Sequence, residues 1–422
     1  MNILLVQPYF NKKFSREKFF GQLVKIIEEK PVELIVFPEG YMGAATIEEA
    51  WEIVEDLEEY LDTPIICGIS FPDGTERALY VNGAAEEGET EKSIFIKHST
   101  AKKLAFDLDP DDLKKMRVYE PVILNDKRIQ VYICHDMFFP LVTEKLEQEG
   151  LDILINLTGG NVKMSKWCNV LKGRSIELDT TVLCTMANRT DEKQPSDRIG
   201  FKSGERLKAN YKLGNGEKTH AFSLFSTDDP VIDEETAEPF YSNKQYTQFT
   251  VGFSEEADCT VDLEKLEIYS SKLTDEDEEA ETSLHLMKNG ESVHVHVANY
   301  AELVDRTYLY KQPIAEEGHH IGIYLSDGPV KEEKAIAMLK LRAIENRIGY
   351  IVVADNLFVA AKTNRYKDTQ LFKATENKIG FDLQFMQGIN SVFQKSASSK
   401  QGIPVRFKEQ YLSLLQVAEN VK

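Results

Sequence analysis

The sequence predicts an α/β protein of two units, and three observations carry that reading. Over residues 1–269, apolar runs of strand length alternate with amphipathic stretches of helical period, the pattern of a mixed or parallel sheet flanked by helices. Several runs, VELIVF among them, are apolar at nearly every position, as strands buried on both faces require. An acidic, polar stretch, SSKLTDEDEEAETS at 270–283, then breaks the alternation before it resumes, which marks a solvated linker. At 422 residues the chain is longer than one ordinary core sustains.

Taken in order, NILLVQPYF is a first strand. SREKFFGQLVKIIEEK is a helix opened by a serine N-cap. VELIVFPEG is a buried strand, and TIEEAWEIVEDLEEYLD is a second amphipathic helix, opened by Thr46. TPIICGISF, ALYVNGAA and SIFIKH are strands; the polar loop AKKLAFDLDPDDLKK follows, then the strand ending at Cys134. The helix LVTEKLEQEG leads to strand DILINLT, and the helix WCNVLKGRSIELDT leads to strand TVLCTMANR. HAFSLFST and TQFTVGFSEEADCTVDL close the first unit near residue 269. Beyond the linker, SVHVHVANY, HIGIYLSD, EEKAIAMLKLRAIENRIG and YIVVADN read as strand, strand, helix and strand. They predict a smaller α/β unit at 284–422 with a closing helix, RFKEQYLSLLQVAENV.

Bulk properties exclude several classes. A net charge of −20 is a poor match to nucleic acid or to an anionic membrane surface. No run of about 18 apolar residues is present, so a transmembrane helix is not expected. The opening residues have no basic region before a short apolar run, so they read as a strand and not as a signal peptide. The five cysteines, Cys67, Cys134, Cys168, Cys184 and Cys259, are odd in number and form no C-x-x-C pair. That fits neither a disulfide framework nor a zinc ribbon and points to a reducing, cytoplasmic setting.

Three residues hold the same position in their local patterns. Glu39 ends VELIVFPE, Lys97 ends SIFIK, and Cys134 ends IQVYIC; each caps an apolar strand where the chain turns. In an open α/β sheet such positions converge on one crevice. A carboxylate, an ammonium and a thiol together can activate a sulfur nucleophile and hold an oxyanion.

These segments resemble the nitrilase, or carbon–nitrogen hydrolase, superfamily. LIVFPEG is similar to its glutamate motif, FIKH to its lysine motif, and ICHDMFFP with GLDILINLTGG to its cysteine motif and the strand that follows. WCNVLKGRSIELDTTVLCTMANR, ALYVNGAA and ADCTVDLEKLE resemble further family segments in the same order, so the likeness spans residues 1 to about 269. The resemblance implies a nitrilase-like α-β-β-α sandwich, with residues 284–422 a smaller α/β extension. It implies Cys134 as nucleophile, Glu39 as general base, and Lys97 with the backbone N–H of His135 as oxyanion holders. No metal or organic cofactor is implied. A homo-oligomer, a dimer, acting on a small amide-like molecule is expected.

The chain departs from the family pattern in the loop after Lys97. No glutamate stands between Lys97 and Arg117; Asp107, Asp109, Asp111 and Asp112 occupy that stretch, with Asp109 and Asp112 the candidates for the missing acid, while Glu120 belongs to the next strand. His135 follows the nucleophile where an aromatic is common, and Leu141 follows the Phe-Pro pair where glutamate is usual. Lys102 and Lys103 lie near Lys97, but the preceding strand favours Lys97. Asp136 and Asn188 read as turn-forming or supporting residues, and Trp167 as a pocket wall or a helix-packing residue. Arg174 and Glu177, three apart on a helix, read as an ion pair fixing that helix to the sheet. Cys168 and Cys184 read as core.

In the second unit, His294 and His296 share one face of a strand, and His319 and His320 form a separate pair. A metal site would need these to converge with other ligands, and isolated pairs read as surface residues. LKLRAIENRIGYIVVADN (339–356) echoes LKGRSIELDTTVLCTMANR (171–189), as a decayed partial repeat or by chance. Leu325 and Ser326 stand where a second nucleophile was sought, so no second active site is expected. The leading expectation is cysteine-dependent hydrolysis of a non-peptide C–N bond, of amide or carbamoyl type. The alternatives are transfer of the acyl group to an amine and a non-catalytic binding or regulatory scaffold. The tail carries no phosphate-binding loop that would indicate an attached synthetase.

Overall fold

A computed structural model describes residues 1–10, 15–83, 90–97, 121–138, 150–159, 164–187, 200–214, 219–232, 259–262, 267–270, 283–288, 291–304, 319–326, 328–346, 349–354, 356–365 and 368–373. The expected helix LVTEKLEQEG, the closing C-terminal helix, the loop with Asp107, Asp109, Asp111 and Asp112, Lys102, Lys103 and Asn188 lie outside these residues.

The first unit, Met1–Thr236, runs β1 (Asn2–Gln7), α1 (Arg16–Glu29), β2 (Leu34–Val36), β3 (Met42–Gly43), α2 (Ile47–Leu61), β4 (Ile65–Ser70), β5 (Glu76–Asn82), β6 (Glu91–Ile96), β7 (Val122–Leu124) and β8 (Lys127–Ile133). A 3-10 turn, Cys134–Phe138, leads to β9 (Ile153–Thr158), α3 (Met164–Glu177), β10 (Thr181–Met186), β11 (Gly200–Lys202), β12 (Glu205–Lys208), β13 (Tyr211–Leu213), β14 (Ala221–Ser226) and β15 (Val231–Ile232). The helix starts follow from side-chain capping. Ser15 Oγ accepts from Lys18 N at 3.3 Å, and Thr46 Oγ1 accepts from Glu49 N at 3.2 Å, each satisfying an amide that the helix leaves unpaired.

Two sheets form. One has the order β13-β14-β1-β2-β4-β5-β6, with β3 beside β4; the other has the order β15-β12-β11-β10-β9-β8-β7. Helices α1 and α2 cover one face of the first sheet. Phe19, Leu23, Ile26, Val54, Leu57 and Leu61 pack there against Leu4, Val6, Ile35, Phe37, Ile65 and Leu79. The alternate positions, Ile3, Leu5, Leu34, Val36 and Ile66, are equally buried and face the second sheet. Contact between the sheets is direct. Thr185 Oγ1 donates to Val6 O at 2.6 Å, and Gly200 sits so tightly between Leu183, Phe225 and Leu207 that a β-carbon would crowd all three. Helix α3 covers the far face of the second sheet with Trp167, Val170, Leu171 and Arg174 buried. The unit is a four-layer α-β-β-α sandwich. This layering explains the continuous apolar runs, because central strands have no solvent face.

The second unit, Ala237–Lys422, begins at a different place from the expected boundary near 269. Among the described residues, strands β16 (Cys259–Asp262) and β17 (Glu267–Ser270) pair with each other and belong to this unit. The rest comprises β18 (Ser283–Lys288), β19 (Glu291–Asn299), α4 (Tyr300–Val304), β20 (His319–Leu325), α5 (Glu332–Asn346), β21 (Gly349–Ala354), β22 (Leu357–Arg365) and β23 (Asp368–Lys373). Its sheet has the order β18-β19-β20-β21-β22-β23.

This sheet repeats the second sheet of the first unit. In both, six consecutive strands pair in chain order as antiparallel, parallel, parallel, antiparallel and antiparallel (β7 to β12, and β18 to β23). The helix between the third and fourth strands carries an arginine with the same task in each copy. Arg174 donates to Met137 O, in the turn after β8; Arg342 donates from Nε to Leu303 O at 3.1 Å and from Nη2 to Val304 O at 3.0 Å, in the turn after β19. The echo between 171–189 and 339–356 therefore belongs to a matching architecture. It also moves the position equivalent to Cys134. Ile133 pairs with Leu157 and Asn299 with Leu325, so Tyr300, and not Leu325 or Ser326, follows the matching strand. Burial raises the Tyr300 phenol, which stays neutral. No helix among the described residues is long and apolar enough to cross a membrane.

Candidate active site

The site lies where β2, β6, β8 and β9 end. Glu39 follows β2 in the turn Pro38–Gly40, and Gly40 has φ 58°, a conformation that glycine adopts without steric penalty. This turn crosses close over β4 at Gly68, where a β-carbon would lie 2.3 Å from Pro38 O and 2.7 Å from Glu39 Cα. The glycine in the middle of IICGIS is thus what allows the Glu39 backbone to approach. Tyr41 N donates to Gly68 O at 2.9 Å and fastens the turn there.

Lys97 is the first residue after β6, held by its N–H to Glu76 O at 3.0 Å. Its ammonium donates to Glu39 Oε1 in an ion pair whose side chains are 13% and 9% exposed, so water screens the pair only weakly. Burial works against the Lys97 charge. The Glu39 carboxylate, the Cys134 sulfur and Asp136 outweigh it and hold the Lys97 pKa above the ordinary lysine value.

Cys134 is buried at 7% exposure and has φ 53°, the left-handed region that a non-glycine residue occupies only at a cost of about 1–2 kcal/mol. The strain is held from three sides. Asp136 Oδ2 accepts from Ile133 N at 3.3 Å, folding the 3-10 turn back on its strand. Arg174 donates twice to Met137 O, at 2.9 Å from Nε and 2.8 Å from Nη2, and its Nη1 meets Glu177 Oε2 at 2.6 Å. Thr158 Oγ1 donates to Cys134 Sγ at 3.6 Å from the end of β9.

Thr158 and Gly159 join the three expected groups. Thr158 touches the sulfur, and the next residue lies against the carboxylate: a β-carbon on Gly159 would stand 3.0 Å from Glu39 Oε2. Sequence reasoning passed over both. The only available signal was the glycine pair closing INLTGG, which reads equally well as an ordinary loop. Gly159→Ala is expected to push the Glu39 carboxylate off its present position and lower kcat about 10- to 100-fold, with thermal stability nearly unchanged. Steady-state kinetics beside a melting curve would check this, and an unaltered kcat would remove Glu39 from the reaction.

The other expected residues divide. Asp136 is 1% exposed and shapes the turn that carries Cys134. His135 lies in that turn, with its side chain outside the described residues. Trp167 is 1% exposed on α3. Arg174 and Glu177 form the expected ion pair, and Arg174 also grips the turn carrying Cys134, which the sequence reading did not foresee. Asp109 and Asp112 lie outside the described residues. Among the residues whose side chains are described, which exclude the histidines of the second unit's sheet, no group of three His, Cys, Asp or Glu could hold a metal ion.

Burial raises the Cys67 thiol and the Cys184 thiol well above the ordinary value. Brief treatment of the folded protein with iodoacetamide near neutral pH is expected to modify Cys134 and spare Cys67 and Cys184. Peptide mass spectrometry reads the outcome directly.

No protein-family model matches the chain. No curated protein matches it. Similar solved structures are carbon–nitrogen hydrolases, amidases and other nitrilase-superfamily members. A carbon–nitrogen hydrolase from Helicobacter pylori G27 shares 15% identity, with 54% of this chain and 89% of that chain covered and a TM-score of 0.38. Saccharomyces cerevisiae Nit3, of branch 10 of the nitrilase superfamily, shares 12% identity over 53% and 89%, with a TM-score of 0.37. A mutant of the amidase from Nesterenkonia sp. AN1, carrying the acetamide moiety of fluoroacetamide on its active-site cysteine, shares 14% identity over 54% and 92%, with a TM-score of 0.39.

Proposed function

We propose that the first unit hydrolyses a non-peptide C–N bond, of amide or carbamoyl type, through a thioester on Cys134. The observation that carries this reading is the meeting of Glu39, Lys97 and Cys134 around the Thr158–Gly159 corner. Glu39 takes the thiol proton as sulfur attacks the substrate carbonyl, and the Lys97 ammonium stabilises the oxyanion that forms. The raised Lys97 pKa supports this role, because the charge persists across the neutral range. Glu39 then passes the proton to the departing nitrogen, the C–N bond breaks, and ammonia or an amine leaves. A water molecule, deprotonated by Glu39, attacks the thioester; a carboxylic acid is released and the thiol is regenerated. Every step uses side chains of this chain and water.

The test is ammonia or amine release across primary amides, ω-amidated acids, carbamoyl compounds and nitriles, with Cys134→Ala in parallel. Release lost in the variant supports the reading and narrows the substrate class. Folded protein that releases nothing from any of them, and forms no acyl adduct detectable by mass spectrometry, overturns it.

A further inference from the structure

We propose that the second unit carries a site for a borderline divalent transition-metal ion, zinc foremost, built from His294, His296 and His320 with His285 beside them. Five of the chain's eight histidines fall between residues 285 and 320. The sequence shows them as separate pairs, and the strand register joins them. His285 on β18 pairs with His294 on β19, and His294 pairs with His320 on β20, so three adjacent strands place a histidine in one cross-strand row. His296 lies two residues beyond His294, on the same face of β19. Neighbouring strands are about 4.8 Å apart and alternate residues on a strand about 6.6 Å apart. The four backbone positions therefore form one compact group.

That spacing suits a metal. Two histidines two residues apart on one strand and a third on the adjacent strand can supply three imidazole nitrogens, with solvent at the fourth position of a tetrahedral ion. Nitrogen donors without a carboxylate in the row favour zinc, nickel, cobalt or copper over magnesium or calcium. The row also includes β18, which ends the sheet order. An ion shared by three strands would tie this outer strand to the two inside it. The row belongs to the second unit, and no step of the proposed hydrolysis uses it.

The sequence also supplies a control. His319, next to His320, pairs with Val293 and so lies on the opposite face. Full-length protein stripped with chelator would be titrated with Zn²⁺ by calorimetry and with Co²⁺ in the visible and near-ultraviolet. One equivalent should bind, with cobalt d–d bands and no sulfur-to-cobalt charge-transfer band. His294→Ala and His320→Ala should each weaken binding about 100-fold or more, and His319→Ala should leave it unchanged. His320→Gln keeps a polar side chain at the same register position and carries the test should His294→Ala not fold. Absence of binding, equal loss in His319→Ala, or a sulfur band that assigns the ion to cysteine would each overturn the proposal.

Discussion

Cys134→Ala is expected to lower amide hydrolysis by about 10⁴-fold or more while leaving the protein folded. The magnitude follows from what the thiol does. With the nucleophile removed, the remaining groups can bind and polarise a carbonyl but cannot form the covalent intermediate, and loss of one member of such a unit costs about as much as loss of the whole. Stability should move little and could rise. Cys134 is strained at φ 53°, and its side chain is small, so alanine leaves only a sulfur-sized gap beside Thr158. Kinetics and a thermal melt on the same preparation separate the two effects. Glu39→Gln gives a companion result, because it removes the base while leaving the thiol and Lys97. It should allow slow acylation by an activated ester and block deacylation, so that intact-mass spectrometry finds the adduct on Cys134. Full turnover by Cys134→Ala would show that the thiol is a structural residue and that hydrolysis proceeds without a thioester on it.

The sequence exposed the chemistry more readily than the geometry that supports it. Glu39, Lys97 and Cys134 were legible because each ends an apolar run, and a strand end is a local feature. Ser15 and Thr46 were legible as caps for the same reason. Gly68 was not, because the need for glycine there comes from a turn that crosses it from another part of the chain. Thr158 and Gly159 were hidden likewise: their importance depends on β9 lying beside β8 and on the Glu39 turn reaching across to it. The histidines illustrate the same limit. Alternation gives the face of each strand, but only strand pairing sets His285 beside His294 and His294 beside His320. The end of the first unit was read from composition, which changes at 270, whereas the chain divides after Thr236.

Arg174→Met is expected to be the most destabilising of the single changes considered, by about 3–5 kcal/mol. Arg174 is fully buried and donates twice to Met137 O and once to Glu177 Oε2. The variant fills most of the volume but takes the Arg174 guanidinium from the Glu177 side chain, itself 0% exposed, and it strips Met137 O of both Arg174 donors. A loss of that size lowers the melting temperature by roughly 10 °C for a unit of this length. The double variant Arg174→Met/Glu177→Leu should recover a large part of the loss, because it removes both charges instead of stranding one. The activity of the two variants then distinguishes a stabilising pair from a positioning one. Met137 is three residues from Cys134, in the turn that fixes the strained backbone of that residue. If Arg174 holds that geometry, the double variant regains stability but not kcat, measured well below its melting temperature. If kcat returns with stability, the Asp136 bond to Ile133 N and the Thr158 contact to sulfur are enough to hold the turn, and Arg174 serves the fold alone. The same clamp in the second unit, Arg342 on Leu303 and Val304, stands behind Tyr300, where there is no thiol to aim. The clamp thus occurs without the nucleophile, which favours a fold-building task that the first unit also uses to set the conformation of Cys134.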